Sequence, residues 1–233
     1  MAYQDDIKKA AALLLPWNKL SGCNILVTGA TGLIGGCLVD VLMAHKGRNY
    51  NVYASGRNEE RAGRRFLKYA DDNSFHFVKY DVAHPLEYDV NFQYIIHAAS
   101  GAYPEEFIKH PVEVIKGNIN GVDNLMGYGI QHGIKRLLYI SSGEVYGEGD
   151  GRVFTENYSG YVDCTSLRSC YPSSKRAAET LCISYGAEYG IDVVIARPCH
   201  VYGPGFTESD NRVYAQFIRN VLRKENIVMK STG

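Results

Sequence analysis

The sequence predicts an α/β protein built on a parallel, doubly wound sheet, and three features carry that expectation. Short runs rich in β-branched and aromatic residues alternate with longer helical segments. Several of the short runs are continuously apolar rather than alternating, as in strands covered on both faces. The first of them runs directly into a glycine-rich turn that opens a helix.

Taken in order, "QDDIKKAAALL" reads as a short amphipathic helix on the outside of the fold, so residues 1–20 form a helical extension. Strand candidates follow as "NILVTG" from Asn24, "NVYASG" from Asn51, "FHFVKYD" from Phe75, "FQYIIHAAS" from Phe92, "RLLYISS" from Arg136 and "DVVIARP" from Asp192. Between them, Leu33 to Ala44, Asn58 to Tyr69, Val112 to His132 and Ser173 to Tyr189 carry helical patterns. This places the main domain at 21–200. After Pro198 the rhythm gives way to the Gly- and Pro-rich "HVYGPGFTESDNR" and a helix from Val213 to Arg223.

The 233 residues contain 25 basic and 25 acidic side chains. That balance gives no bulk electrostatic reason to expect a nucleic acid or an anionic membrane as partner. The apolar run Ala10 to Leu15 is too short to span a bilayer, and the acidic flank Asp5 and Asp6 does not suit a signal peptide. The six cysteines lack CxxC spacing and mostly sit in apolar runs, which suggests small core residues in a reducing, cytoplasmic setting and no metal site.

Gly29, Gly32 and Gly35 lie in "TGATGLIGG", after a strand and at the start of a helix. Glycine there permits a tight turn and close approach to a pyrophosphate, and the helix end supplies free N–H groups. No GK[ST] follows, which disfavours an NTP site of the Walker type; a ligand-free turn is the plain alternative. Where an acidic residue often holds a ribose at the end of the second strand, this chain has Ser55 and Arg57. The choice between NAD and NADP is therefore open. Arg61, Arg64 and Arg65 read as a solvated helix face, and Asp81 as an adenine contact or a turn aspartate.

Tyr171 and Lys175 form an i, i+4 pair in "RSCYPSSKRAAE", with Pro172 in the first turn of the helix. A phenol of ordinary pKa about 10 is protonated at neutral pH. A lysine and a cationic nicotinamide beside it favour the phenolate, which can take a hydroxyl proton while hydride leaves the same carbon. Ser142, at the end of the preceding strand, would hold that hydroxyl. Glu144 in "SSGEVYG" is either a loop glutamate in solvent or a second catalytic group.

The glycine turn, the strand-end serine and the YxxxK pair resemble the extended short-chain dehydrogenase/reductase superfamily. More narrowly they resemble its NAD-dependent epimerase/dehydratase group, which modifies nucleotide sugars. "HAAS" from His97, "GNINGVDNLM" from Gly117 and "RPCHVYGPG" from Arg197 belong to the same resemblance. It implies a Rossmann-type domain and a tightly held NAD, used as an oxidant and regenerated in each cycle. Cofactor contacts are then expected from Gly29, Thr31, Gly32, Leu33, Ile34, Gly35, Arg57, Asp81, Val82, Ala98, Ala99, Ser100, Asn118, Tyr171, Lys175, Pro198 and Val201. Catalysis falls to Ser142, Glu144, Tyr171 and Lys175, with Lys175 holding the ribose and depressing the tyrosine pKa. Ser142, His200 and Arg212 would meet the nucleotide-diphosphate sugar.

Sugar 4,6-dehydratases and UDP-glucuronate decarboxylases typically carry glutamate at the position of Glu144, so the resemblance implies more than epimerisation. The dehydratases usually place aspartate just before it, where this chain has Gly143. "RSCYPSSKRAAETLC" and "DNRVYAQFI" look closest to the decarboxylases; 4,6-dehydratase, 4-epimerase and a cofactor-binding protein without turnover are the alternatives. Relatives continue past the C-terminus, so 201–233 is expected to be only the start of a substrate lobe that is largely absent. A homodimer formed through the helices Val112 to His132 and Ser173 to Tyr189 is also implied.

Overall fold

The computed structural model describes residues 2–102, 104–204, 210 and 212–229. Helix α1 spans Ala2–Ala11, strand β1 Asn24–Thr28, α2 Leu33–Ala44, β2 Asn51–Gly56, α3 Glu59–Phe66 and β3 Phe75–Lys79. They are followed by β4 Tyr94–His97, α4 Pro104–Lys109, α5 Pro111–Gln131, β5 Arg136–Ile140, α6 Cys170–Tyr189, β6 Asp192–Ala196 and α7 Val213–Arg223. Six parallel strands pair in the order β3-β2-β1-β4-β5-β6.

The apolar runs explain the layering. Along β1, Leu26 faces one side of the sheet with Ile95 and Leu137, packed on Val122, Leu125 and Met126 of α5 and on Ala178 and Cys182 of α6. Its neighbours Ile25 and Val27 face the other side, on Val39, Leu42 and Met43 of α2 and Phe66 of α3. Successive residues point to opposite faces, so only strands apolar at every position can carry helices on both. Strand order reverses between β1 and β4, and a ligand crevice in such a sheet lies at the carboxyl ends of those two strands.

All six expected strands are present, but several stop before the end of the apolar run. "FQYIIHAAS" pairs only over Tyr94–His97, and the residues after His97 leave the sheet to line the crevice. Helix α4 and the 3₁₀ turns Trp17–Leu20, Gly143–Tyr146 and Leu167–Ser169 were not legible, because pieces of three to six residues have no period to read. The N-terminal helix docks by burying Ile7 and Ala11, and its Tyr3 hydroxyl donates to Asp40 of α2 at 2.6 Å. All six cysteines are free, but only Cys23, Cys170 and Cys182 are buried. The reading of the cysteines mostly as core residues fails for Cys164 and Cys199, which lie exposed on loops. Of the loop after Pro198, residues 205–209 and 211 lie outside the described residues. No helix among the described residues is long and apolar enough to cross a membrane.

Candidate active site

The glycine turn is shaped by close packing. Gly29 has φ +63°, and a Cβ there would sit 2.7 Å from the backbone of Ala98 and Ala99. A Cβ on Gly35 would lie 2.4 Å from the Gly29 carbonyl oxygen. Glycine at these two positions lets β1, the end of β4 and the start of α2 meet. Gly32 is the N-cap of α2 and supplies no side-chain acceptor. The N–H groups of Leu33, Ile34 and Gly35, in the first turn, have no partner within the helix.

On the β2 side of the crevice, Ser55 is buried and its hydroxyl has no partner among the described residues. Exposed Arg57 faces Asp81 at 3.8 Å. The Asp81 carboxylate also accepts from the Ala83 N–H at 3.1 Å, the bond of a turn aspartate. Val82 gives its carbonyl to Asn124 at 2.9 Å. Reading the three arginines of α3 as a solvated face holds only for Arg64, which pairs with Glu60 on the surface. Arg61 donates to the Thr31 carbonyl at 3.0 Å and braces the glycine turn. Arg65 reaches Asp40, whose side chain is 0% exposed, at 2.5 Å. Those partners lie in an earlier part of the chain, so the spacing of the arginines alone could not reveal them.

The end of β4 is tied to α5 and α6 by a chain of hydrogen bonds. Ser100 donates to Asn118 at 2.8 Å, Asn118 to Ser174 at 2.9 Å, and Ser174 to the Cys170 carbonyl at 2.5 Å. His97 is buried, pairs with Thr28 at 2.8 Å, and leaves Nε2 without a partner among the described residues. Burial, and then the nearby Lys175, push its pKa down to about 3, so it is neutral. Ala99 N–H faces the Thr28 hydroxyl at 3.4 Å.

The ends of β5 and β6 are laced together where the chemistry is expected. Ser141 N–H donates to the Ala196 carbonyl at 2.7 Å, and Gly143 N–H to Pro198 at 2.9 Å. Ser142 then caps the 3₁₀ turn Gly143–Tyr146 by accepting from the Glu144 N–H at 3.2 Å. A Cβ on Gly143 would stand 2.8 Å from the Cys199 sulfur. The exposed Cys199 side chain would have to turn away to admit one.

Helix α6 brings Tyr171 and Lys175 into the interior beside this turn. The phenol is raised above its ordinary pKa, chiefly by burial. Hydrogen bonding from Ser142 opposes that rise, Glu144 adds to it, and Ser100 and Arg168 also pull it down. Ser142, Ser100 and Glu144 thus converge on Tyr171. Lys175 lies over the Tyr171 ring, its ammonium 5.8 Å from the ring centre. It also donates to the Ile140 carbonyl at 2.9 Å and lies 4.6 Å from the Tyr139 ring centre. Burial lowers its pKa to about 7. Among the protein's own groups, the serine hydrogen bonds and the Arg168 charge favour the phenolate.

Glu144 is no free loop residue, because Arg168 donates to it at 2.5 Å. Arg168 and the ring of Phe107, stacked on Tyr171, were missed by sequence reasoning. Arg168 stands three positions before Tyr171 in the quoted motif, the one signal that pointed to it. Of the substrate candidates, His200 is exposed on the loop after β6, and Arg212 is turned onto Asp210 at 2.6 Å. Pro198 and Val201 flank His200, with the Val201 carbonyl accepting from Tyr214 at 3.1 Å.

Residues 25–233 match the family described as the NAD dependent epimerase/dehydratase family. UDP-glucuronic acid decarboxylase 6 of Arabidopsis thaliana is 36% identical over 216 residues, covering 91% of this chain and 61% of that protein. UDP-glucuronic acid decarboxylase 1 of Xenopus tropicalis is 33% identical over 211 residues, covering 90% of this chain and 48% of that one. The chain thus spans about half to three fifths of the length of these relatives. The fold is shared with a UDP-glucose 4-epimerase from Thermotoga maritima, with TM-score 0.72, 24% identity, and coverage of 90% of this chain and 66% of that one. It is also shared with a dTDP-glucose 4,6-dehydratase from Bacillus anthracis, with TM-score 0.74, 21% identity, and coverage of 91% and 65%.

Proposed function

This chain belongs to the NAD dependent epimerase/dehydratase family, and from that premise we propose that it acts as a UDP-glucuronate decarboxylase, through transient oxidation at C4 of the sugar. The observation that carries this reading is the turn after β5. It sets Ser142 and Glu144 beside Tyr171, while Gly143 leaves the turn without the aspartate that dehydratases usually carry before the glutamate. The curated relatives, named as UDP-glucuronic acid decarboxylases, support the same substrate.

A dinucleotide fits the crevice: Gly29 and Gly35 leave no room for a Cβ, and Ser55 buries an unpartnered hydroxyl there. NAD would be held by the turn from Gly29 to Gly35, by Asp81 and Val82, by Ala98, Ala99, Ser100 and Asn118, and by Lys175, Pro198 and Val201. The Arg57–Asp81 pair favours NAD over NADP, because a 2′-phosphate on Arg57 would meet the Asp81 carboxylate. When bound, NAD supplies a hydride acceptor and a positive charge that favours the Tyr171 phenolate.

Tyr171 takes the proton of the C4 hydroxyl, and Ser142 holds the same oxygen. Loss of that proton and a hydride makes C4 a ketone, β to the C6 carboxylate. The C5–C6 bond then breaks, CO2 leaves, and the electron pair remains as an enolate. C5 takes up one proton drawn from solvent and relayed through Glu144, and Tyr171 returns its proton to the C4 oxygen as the hydride comes back. The product is UDP-xylose. Two copies of the chain would pair through α5 and α6, whose outward sides leave Ile115, Ile183 and Tyr189 exposed.

Mass spectrometry of products, with added NAD, tests the reading against UDP-glucuronate and dTDP-glucose. Loss of CO2 from the first is expected. Loss of water from the second, with the first untouched, would replace it by a dehydratase; no change in either would point to a binding protein without turnover. In Tyr171→Phe, turnover should fall by roughly 10²–10⁴-fold while dinucleotide binding by calorimetry persists. Unchanged turnover would sink the mechanism.

A further inference from the structure

Arg168 lies in the 3₁₀ turn Leu167–Ser169, just before α6. Its guanidinium makes two contacts that together span the site. One Nη2 hydrogen bond runs to Glu144 Oε1 at 2.5 Å. Its planar face lies 4.6 Å from the ring centre of Phe107. Phe107 is buried in α4 and stacks on the ring of Tyr171, with centroids 4.7 Å apart and planes 25° apart. One side chain therefore links the two groups to which the decarboxylase reading gives proton chemistry.

Stability is a poor reason for this pair. The Arg168 and Glu144 side chains are 50% and 40% exposed, and ion pairs that wet contribute little. Geometry is a better one. A glutamate alone on a short turn has several rotamers, and a planar guanidinium fixed on an aromatic face restricts where its carboxylate can go. Charge works in the same direction: a lone carboxylate beside Tyr171 opposes the phenolate, and Arg168 compensates it.

We propose that Arg168 is a positioning residue that holds the Glu144 carboxylate at the Tyr171 end of the site and balances its charge there. This rests on Glu144 being a working group of the decarboxylase, so the test must separate the two claims. Glu144→Gln, Arg168→Met and the double variant are compared for kcat and KM on UDP-glucuronate, with urea unfolding midpoints alongside. Glu144→Gln should lose roughly 100-fold or more in kcat, and Arg168→Met about tenfold with little change in KM. The double variant should be no slower than Glu144→Gln, since Arg168 acts through that carboxylate. Guanidinium ion in solution should recover part of the rate of Arg168→Met but none of the double variant, and Arg168→Lys should fall between wild type and Arg168→Met.

Each failure reads differently. Full activity in Glu144→Gln overturns the role of Glu144 beneath the proposal. A slow Glu144→Gln beside a fully active Arg168→Met leaves that role intact and overturns the proposal. Additive losses in the double variant, or a fall in unfolding midpoint that accounts for the loss in Arg168→Met, overturn it too.

Discussion

Asp40 and Lys175, two of the ionisable side chains buried in this molecule, sit against different halves of the sheet and are treated in opposite ways. Asp40 of α2 has a side chain that is 0% exposed and is ringed by Arg65 at 2.5 Å, Lys68 at 2.8 Å, Tyr3 at 2.6 Å and Tyr69 at 2.9 Å. Burial alone would raise its pKa, but the hydrogen bonds from Arg65, Lys68 and Tyr3 win and hold it below the usual range. Lys175 of α6 is 1% exposed and has one backbone carbonyl and the faces of Tyr139 and Tyr171. Burial therefore prevails, and its pKa falls to about 7. A charge that serves the fold is matched on every side. Around Lys175 the surroundings stay under-satisfied, with the Tyr139 hydroxyl, Ser141 hydroxyl and His97 Nε2 buried and unpartnered. Unmatched polar groups cluster where a ligand is expected, which is how perturbed groups mark a site.

The largest effect should come from breaking the matched charge. Asp40→Ala removes the acceptor of two cations and two phenols and should cost about 3 kcal/mol. The cost stays at the lower end because Arg65 and Lys68 are 29% and 39% exposed and can turn to water. Urea unfolding would measure it, with turnover per folded molecule unchanged; a lost site at unchanged stability would reverse the comparison.

Next comes the unmatched charge, which shows itself in pH dependence. In the unfolded chain Lys175 keeps its proton up to about 10.5, whereas folded it releases it near 7. The unfolded state binds more protons between those values, so this group makes stability rise with pH through that window. From pH 7 to 9 its contribution should be about 2 kcal/mol, and Lys175→Met should remove it. Equal slopes for the two proteins in urea unfolding at both pH values would show that Lys175 is not poised.

Smallest is the edge of the Asp40 cluster. Tyr3→Phe deletes one of four partners and should cost about 1 kcal/mol. It should also speed protease cleavage within α1, because Tyr3 fastens that helix to α2. Unaltered cleavage would place the anchoring of α1 in Ile7 and Ala11 instead.

The same contrast explains what could be read before folding was considered. Leu33–Ala44, Asn51–Gly56 and Val213–Arg223 form where the pattern put them, since periodicity and apolar runs are local properties. Gly29 was legible as a turn residue, but the backbone of Ala98 and Ala99 that requires its lack of a side chain comes from another strand. Gly143 was legible as a departure from dehydratases, while the Cys199 sulfur beside it follows β6. Arg65 read as a surface residue because its partner Asp40 sits on a different helix.

The sequence by itself determined the order of strands and helices and the parallel sheet, and it singled out Ser142, Glu144, Tyr171 and Lys175 as candidates. These follow from side-chain periodicity and from motifs contained within a few residues. Only the tertiary structure decided that Lys175 bonds the end of β5, that Arg168 joins Glu144 to the Phe107–Tyr171 stack, and that Asp40 gathers α1, α2 and α3 around one charge. Protonation and orientation depend on which groups pack within a few ångströms and how much water they exclude. Chain separation says nothing about either until the sheet has brought the ends of its strands together.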